Sequence, residues 1–154
     1  MNKDKIGIIG NGFVGEALAF SFSSTSDVYI YDIDPLKSQH PLELIHKCDF
    51  VFVCVPTPMD KNGSQDLNNV LNVFKYASSK PIYIIKSTVL PGSTRKISIE
   101  YPELKIIFSP EFLTERTSKI DMLTQSRIIL GGEKKLVDLV ENIFLKRFKN
   151  KNII

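Results

Sequence analysis

Apolar residues fall in six short runs along the chain, and irregular or helix-patterned connections separate them. Lys5-Ile6-Gly7-Ile8-Ile9, Val28-Tyr29-Ile30-Tyr31-Asp32 and Phe50-Val51-Phe52-Val53-Cys54-Val55 are rich in β-formers. So are Ile82-Tyr83-Ile84-Ile85-Lys86, Lys105-Ile106-Ile107-Phe108 and Arg127-Ile128-Ile129-Leu130-Gly131. Several of these runs are continuously apolar, as strands covered on both faces are. Phe13, Val14, Ala17, Leu18 and Phe20 predict an apolar helix, broken by Ser23-Ser24-Thr25-Ser26. Leu67, Val70, Leu71 and Phe74 keep helical spacing behind Asp66, a capping residue type. A short helix is expected through Lys96 to Tyr101, and Leu136 to Phe148 is amphipathic. Asp34-Pro35 and Pro41 leave Leu36 to Lys47 room only for a clipped connection.

Strands alternating with helical connections predict an α/β fold: a doubly wound, parallel six-stranded Rossmann sheet in one domain, with order 3-2-1-4-5-6. Right-handed crossovers put every strand's C-terminal end on one edge. Gly10–Gly15, Asp32, Val55–Pro58, Ser87–Gly92 and Ser109–Glu115 all fall there.

Composition narrows the class. A chain of 154 residues suits one domain that buries roughly 70% of its unfolded surface. No apolar run has the length of a membrane span, and the N-terminal run is too short and Gly-broken for a signal peptide. The expectation is a cytoplasmic protein with no membrane contact. The net charge of +3 is concentrated in the tail, where Lys134, Lys135, Lys146, Arg147, Lys149 and Lys151 outnumber Asp138 and Glu141. The body carries no basic face, so no nucleic-acid partner is expected. The tail's cations suit a helix C-terminus. Cys48 and Cys54 make neither a disulfide framework nor a metal spacing, and Cys54 reads as buried in a strand. His40 and His46 read as ordinary surface or boundary residues, and no metal site is expected.

The first apolar run opens into Gly10-Asn11-Gly12-Phe13-Val14-Gly15 and then a helix. This strand, GxGxxG and helix arrangement is how a parallel sheet holds a dinucleotide pyrophosphate. Gly10 would allow the tight turn, Gly12 the close approach of backbone to phosphate, and Gly15 the packing of helix on strand. The first helical N–H groups would face the anion. Asp32 ends the second strand 22 residues after Gly10, near the spacing at which an acid takes the ribose hydroxyls. A carboxylate there favours NAD over NADP, although Lys37 is near enough in sequence to weaken that preference. A strand-end Asp can also simply cap a turn, and Thr57 and Thr88 can be ordinary turn residues. Glu111 and Glu115 would share a face if Phe112 to Thr117 is helical, so they could orient a sugar or activate water. On spacing alone they can equally belong to a solvated turn.

Seven segments in order resemble the N-terminal domain of the UDP-glucose/GDP-mannose dehydrogenase family. They are Lys5 to Gly15, Tyr31-Asp32-Ile33-Asp34, Cys48 to Pro58, Asn62-Gly63-Ser64-Gln65-Asp66-Leu67, Lys86 to Thr94, Ser109-Pro110-Glu111-Phe112-Leu113-Thr114-Glu115 and Ser126 to Gly132. The Ser-Thr-Val and Pro-Glu-Phe-Leu segments are more specific than the glycines. The resemblance implies a two-step oxidation of a nucleotide sugar's C6 alcohol to a carboxylate, with two NAD molecules reduced in turn and a cysteine holding the intermediate. Gly10, Asn11, Gly12, Phe13, Val14, Gly15, Asp32, Lys37, Val55, Pro56, Thr57, Pro58, Thr88 and Glu115 would then surround the cofactor. Thr88 and Glu111 would be the catalytic residues, positioning substrate and the hydrolytic water.

The chain departs from the family pattern in two places. The stretch from Asp32 to Phe50 is short and lacks the usual Glu-Pro-Gly-Leu segment. The central helical segment and the C-terminal domain with its nucleophilic Cys have no counterpart among these 154 residues, and neither Cys48 nor Cys54 sits in the nucleophile's motif. Three readings stay open. The chain is the cofactor-binding part of a UDP-glucose 6-dehydrogenase-like enzyme, as a fragment, a split gene product or one component of a complex with a separately encoded Cys-bearing domain. Alternatively it is a stand-alone NAD-binding module, or a minimal dehydrogenase limited to hydride transfer.

Overall fold

The computed structural model describes residues 3–149 and 151–154. Five strands form one parallel sheet: β1 (Lys5–Ile9), β2 (Asp27–Tyr31), β3 (Phe50–Val53), β4 (Ile82–Ile85) and β5 (Lys105–Phe108), in the order β2-β1-β3-β4-β5. Their apolar runs divide residue by residue between two cores, because successive side chains point to opposite faces. Ile6, Ile8, Phe50, Phe52, Ile82, Ile84 and Ile107 pack with α1 (Phe13–Phe22), α5 (Ser118–Thr124) and α6 (Lys134–Arg147). Ile9, Val51, Val53, Tyr83, Ile85 and Ile106 pack with α2 (Leu42–Ile45), α3 (Asn68–Lys75) and α4 (Ser93–Glu100).

The first core centres on phenylalanines. Phe22 at the end of α1 stands 5.6 Å from Phe52, 5.5 Å from Phe144 and 5.9 Å from Phe148, ring centre to ring centre. Such contacts add to area burial by roughly 0.5–1.5 kcal/mol each, and they join α1, β3 and the end of α6. Val140, Ile143 and Phe144 are buried and Leu136 is partly covered, so the last helix lies on the sheet. Among the described residues no helix is long and apolar enough to cross a membrane.

Two expectations about the sheet are corrected. The main sheet has five strands, not six. Of the expected run Arg127–Gly131, only Arg127–Ile128 is a strand (β6), and it pairs in parallel with β7 (Asn152–Ile153). The run meets the main sheet through a single antiparallel bridge between Phe108 and Gly131. The order is also not 3-2-1-4-5-6, because the third strand lies beside β1 and not outside β2. The reason is the clipped connection. The backbone N–H groups of Gln39 and His40 donate to Ile30 O at 3.1 and 2.9 Å, and Ile30 N–H donates to His40 Nδ1 at 3.1 Å. A loop thus covers the outer edge of β2, and the four-residue α2 carries the chain across β1 to β3. His40 has a structural role there, with its ring edge-on to Tyr29 at 5.1 Å.

Candidate functional site

At the end of β1 the chain turns sharply on Gly10, at φ +97°, a left-handed conformation that an L side chain rarely adopts. A Cβ there would stand 2.6 Å from Cys54 O, and one on Gly15 would stand 2.1 Å from Gly10 O. The turn and the helix start therefore pack backbone against backbone. Gly12 differs: a Cβ on it would meet nothing within 4 Å. It is the N-cap of α1, and no side chain caps that end, so the first-turn N–H groups stay available to an anion.

Asp32 follows β2 and reaches back to this turn. Its Oδ2 accepts the Asn11 backbone N–H at 2.6 Å, and its Oδ1 accepts that of Asp34 at 2.8 Å. A carboxylate has about four acceptor positions, so capacity remains for two hydroxyls. The Asn11 Nδ2 donates to Lys37 O at 2.8 Å, which leaves Asn11 Oδ1 buried with no partner among the described residues. Lys37 thus contributes its carbonyl, and among the described residues no ion pair joins its ammonium to Asp32.

Beside the turn lies a crevice of about 290 Å³, lined by Gly12, Phe13 and Val14, by Cys54 to Thr57, by Lys86 to Thr88, and by Glu111. The loops after β3 and β4 are fastened to each other. Thr57 Oγ1 and Gln65 Nε2 both donate to Thr88 O at 2.7 Å, and Ser87 Oγ donates to Val55 O at 2.7 Å. Gln65 also accepts the Leu90 N–H at 3.1 Å. Asp66 is not the cap expected of it: Leu67 takes the N-cap position of α3 and no side chain caps that end, while Asp66 Oδ1 accepts the Asn68 N–H at 2.8 Å in the turn just before it. The structure thus brings Gly10 to Gly15, Val55, Pro56, Thr57, Thr88 and Glu111 together, with Asp32 across the turn.

Other expected residues stand apart. Phe112 to Thr114 is not helical, so Glu111 and Glu115 do not share a helix face. Glu111 is half-buried at the crevice, its carboxylate accepting the Leu113 N–H at 2.6 Å. Glu115 is exposed at the start of a 3-10 turn (Glu115–Thr117) and does not line the crevice. Pro58 lies beyond the lining, its carbonyl accepting the Asp66 N–H at 2.8 Å. Cys54 is not inside a strand as expected: it follows β3 and lines the crevice, and burial pushes its thiol up to about 12. Burial likewise raises Cys48 to about 11. Neither is a thiolate near neutral pH, so neither is an activated nucleophile.

Lys86 is the residue that the sequence reading passed over. It follows the four buried residues of β4 and is only 6% exposed, with Nζ donating to Ser109 Oγ at 3.3 Å and Pro110 O at 3.0 Å. Burial lowers its pKa to about 8, the nearby Glu111 carboxylate offsetting part of that. The available signal was a charged residue ending a fully apolar strand at the sheet's C-terminal edge.

Comparison with known proteins gives the chain a family. Residues 36–147 match the model of the UDP-glucose/GDP-mannose dehydrogenase family, NAD binding domain. The UDP-glucose 6-dehydrogenase of Campylobacter jejuni is 33% identical, over 97% of this chain and 47% of its own length. That alignment runs over 184 positions, more than this chain's 154 residues, so the relative carries residues within the span that this chain lacks. A UDP-glucose dehydrogenase from Pyrobaculum islandicum superposes with a TM-score of 0.84 at 20% identity, covering 99% of this chain and 46% of that one. A GDP-mannose dehydrogenase from Pseudomonas aeruginosa, solved as a ternary complex, gives 0.81 at 24% identity, covering 97% and 45%. At these identities the two structures speak for the fold alone. The chain spans about half the length of these relatives. With 33% identity along nearly its whole length and a family model over most of it, the chain belongs to the UDP-glucose/GDP-mannose dehydrogenase family, as its NAD binding domain.

Proposed function

We propose that this chain lays NAD across the C-terminal edge of its sheet and forms the cofactor-binding part of a nucleotide-sugar dehydrogenase. The observation that carries the reading is the glycine turn: it is closed at Gly10 and Gly15, open above Gly12, and tied by Asn11 to the carboxylate of Asp32. Asp32 would take the adenosine ribose hydroxyls, and the uncapped first turn of α1 the pyrophosphate. Val55, Pro56, Thr57 and Thr88 would line the far half of the cofactor, with Lys37, Pro58 and Glu115 at its margins. Bound NAD supplies the hydride acceptor for a sugar CH–OH. Thr88 and Glu111 would position the substrate, for which a UDP-glucose-like sugar is the first candidate, and Glu111 the hydrolytic water.

The two cysteines support a division of labour. With thiols at about 11 and about 12, neither suits the covalent step, and the nucleophile would come from a Cys-bearing domain encoded apart from these residues. The same observation favours a second reading, a NAD-binding module with no turnover of its own. Two measurements on the purified chain test both: calorimetric NAD binding, and NAD reduction with several nucleotide sugars, alone and with a Cys-bearing family domain added. Binding followed by turnover only in the mixture supports the first reading. Binding with no turnover in either supports the second, and absence of binding overturns both.

A further inference from the structure

Lys86 is a buried cation at one end of the crevice, and nothing in the proposed reaction accounts for it. Its two partners, Ser109 Oγ at 3.3 Å and Pro110 O at 3.0 Å, occupy two of the three N–H donors an ammonium carries. The side chain helps line the crevice together with Thr57, Thr88 and Glu111.

Sheet order gives Lys86 its place relative to the cofactor. Because the strands run β2-β1-β3-β4-β5, Asp32, the glycine turn, Val55 to Thr57, Lys86 to Thr88 and Glu111 follow one another along the edge. If Asp32 takes the adenosine ribose and α1 the pyrophosphate, the nicotinamide half falls at the Lys86 end. The inference rests on that NAD reading. Oxidised nicotinamide carries a positive charge and reduced nicotinamide does not, so a fixed cation nearby opposes only the oxidised form.

We propose that Lys86 sets the balance between oxidised and reduced cofactor, its buried ammonium weakening NAD+ binding relative to NADH at this end of the crevice. A unit charge within about 12 Å, at an effective dielectric near 20, changes the affinity for a singly charged ring roughly tenfold. The groups facing Lys86 are few. From the end of β3 comes Cys54, uncharged with its thiol at about 12; from the turn after β5 comes Glu111. From α1 come the uncharged Phe13 and Val14. Glu111 offsets part of the field but leaves the comparison intact, because deprotonating Lys86 and replacing it by Met each subtract one positive charge. With its pKa lowered to about 8 by burial, that charge is removable in an accessible pH range.

The test measures dissociation constants for NAD+ and NADH on the wild-type chain, Lys86→Met and Lys86→Arg, from about pH 6.5 to 9.5. In the wild type the ratio of the NAD+ constant to the NADH constant falls roughly tenfold as pH rises through the Lys86 titration. In Lys86→Met it is low and flat. In Lys86→Arg, always charged, it stays high throughout. A ratio equal in wild type and Lys86→Met overturns the proposal, as does a pH dependence that survives in Lys86→Met. Should Lys86→Met fail to fold, wild type against Lys86→Arg decides, because equal pH profiles there overturn it. Failure of the wild type to bind either nucleotide overturns the NAD reading, and this inference with it. A merely structural role for Lys86 would weaken both nucleotides alike and leave the ratio unmoved.

Discussion

The backbone N–H of Asn11 donates to Oδ2 of Asp32 at 2.6 Å, so the acid proposed to hold ribose also fastens the glycine turn to β2. One carboxylate would thereby link the local fold to the cofactor. Bonds to a charged acceptor contribute about 1.5–3 kcal/mol each, and Asp32→Ala removes two. The variant is expected to lose about 2 kcal/mol or more of stability in urea unfolding, and to bind NAD about tenfold more weakly or worse. Unchanged NAD affinity by calorimetry would take Asp32 out of the site.

Cofactor choice follows from the same side chain. The extra phosphate of NADP would stand against the Asp32 carboxylate, and two like charges about 4 Å apart oppose each other by roughly 1–4 kcal/mol, depending on the dielectric. Lys37 meets the turn through its carbonyl, and among the described residues no ion pair joins its ammonium to Asp32. NAD is expected to bind more tightly than NADP, and Asp32→Ser to narrow the gap. Equal affinities in the wild type would contradict the assignment.

Two glycines of one motif should fail in different ways. A Cβ on Gly15 would stand 2.1 Å from Gly10 O, whereas one on Gly12 meets nothing within 4 Å. Gly15→Ala must push helix from strand and is expected to lower stability by about 3 kcal/mol or more. Gly12→Ala should fold normally and lose NAD affinity, because its methyl enters the space left for phosphate. Thermal melts paired with NAD titrations separate the two. A folded Gly12→Ala with full affinity would argue against close approach at Gly12.

These contrasts show what was legible in the chain. The five parallel strands are mainly apolar runs, continuously so in β3 and β4, and their alternation onto two faces needs only the geometry of a strand. The positive φ of Gly10, the open space over Gly12 and the approach of Gly15 to Gly10 O are equally local, although the Cys54 carbonyl that also crowds Gly10 is not. The sheet's edges are less legible. Nothing in the hydrophobic pattern marks Ser38 to His40 as the cover of β2, since that cover is made by backbone donors to Ile30 O and by His40 Nδ1. Nor does the apolar run after Ser126 show that it pairs with Asn152–Ile153 instead of lengthening the main sheet. Lys86 reads as the end of a strand until Ser109 and Pro110 are seen beside it. Such features depend on specific backbone and side-chain partners elsewhere in the chain, and periodicity carries no record of them.

Thr88 depends on a shared acceptor. Thr57 and Gln65 both donate to its carbonyl at 2.7 Å, so either can be lost while the other still holds the loop. Thr57→Val and Gln65→Ala are each expected to destabilise by about 1 kcal/mol. The double variant should cost more than the sum, because it leaves the carbonyl with neither donor. A double-mutant cycle by urea unfolding, with NAD affinity measured alongside, checks this. Simple additivity would mean the two donors hold the loop independently.

The alkaline stability profile should carry the mark of Lys86. Its pKa is about 8 in the folded chain against 10.5 ordinarily, so between those values the unfolded state binds more protons. Stability from this group therefore rises with pH, approaching about 1.4 kcal/mol per pH unit once well above 8. The buried thiols act in the opposite sense. Cys48 and Cys54 are raised from 9.0 to about 11 and about 12, so from about pH 8 upward the folded state increasingly retains protons the unfolded state has lost, and their contribution to stability falls. Tyr83, raised from 10.0 to about 12, adds to that fall from pH 10 upward. The interval from about pH 7.5 to 8.5 therefore belongs mainly to Lys86, before the unfolded-state thiols are substantially ionised. Urea midpoints are expected to rise there in the wild type and not in Lys86→Met, while both chains lose stability at higher pH. A rise of equal size in the two would mean that the titrating group is not Lys86.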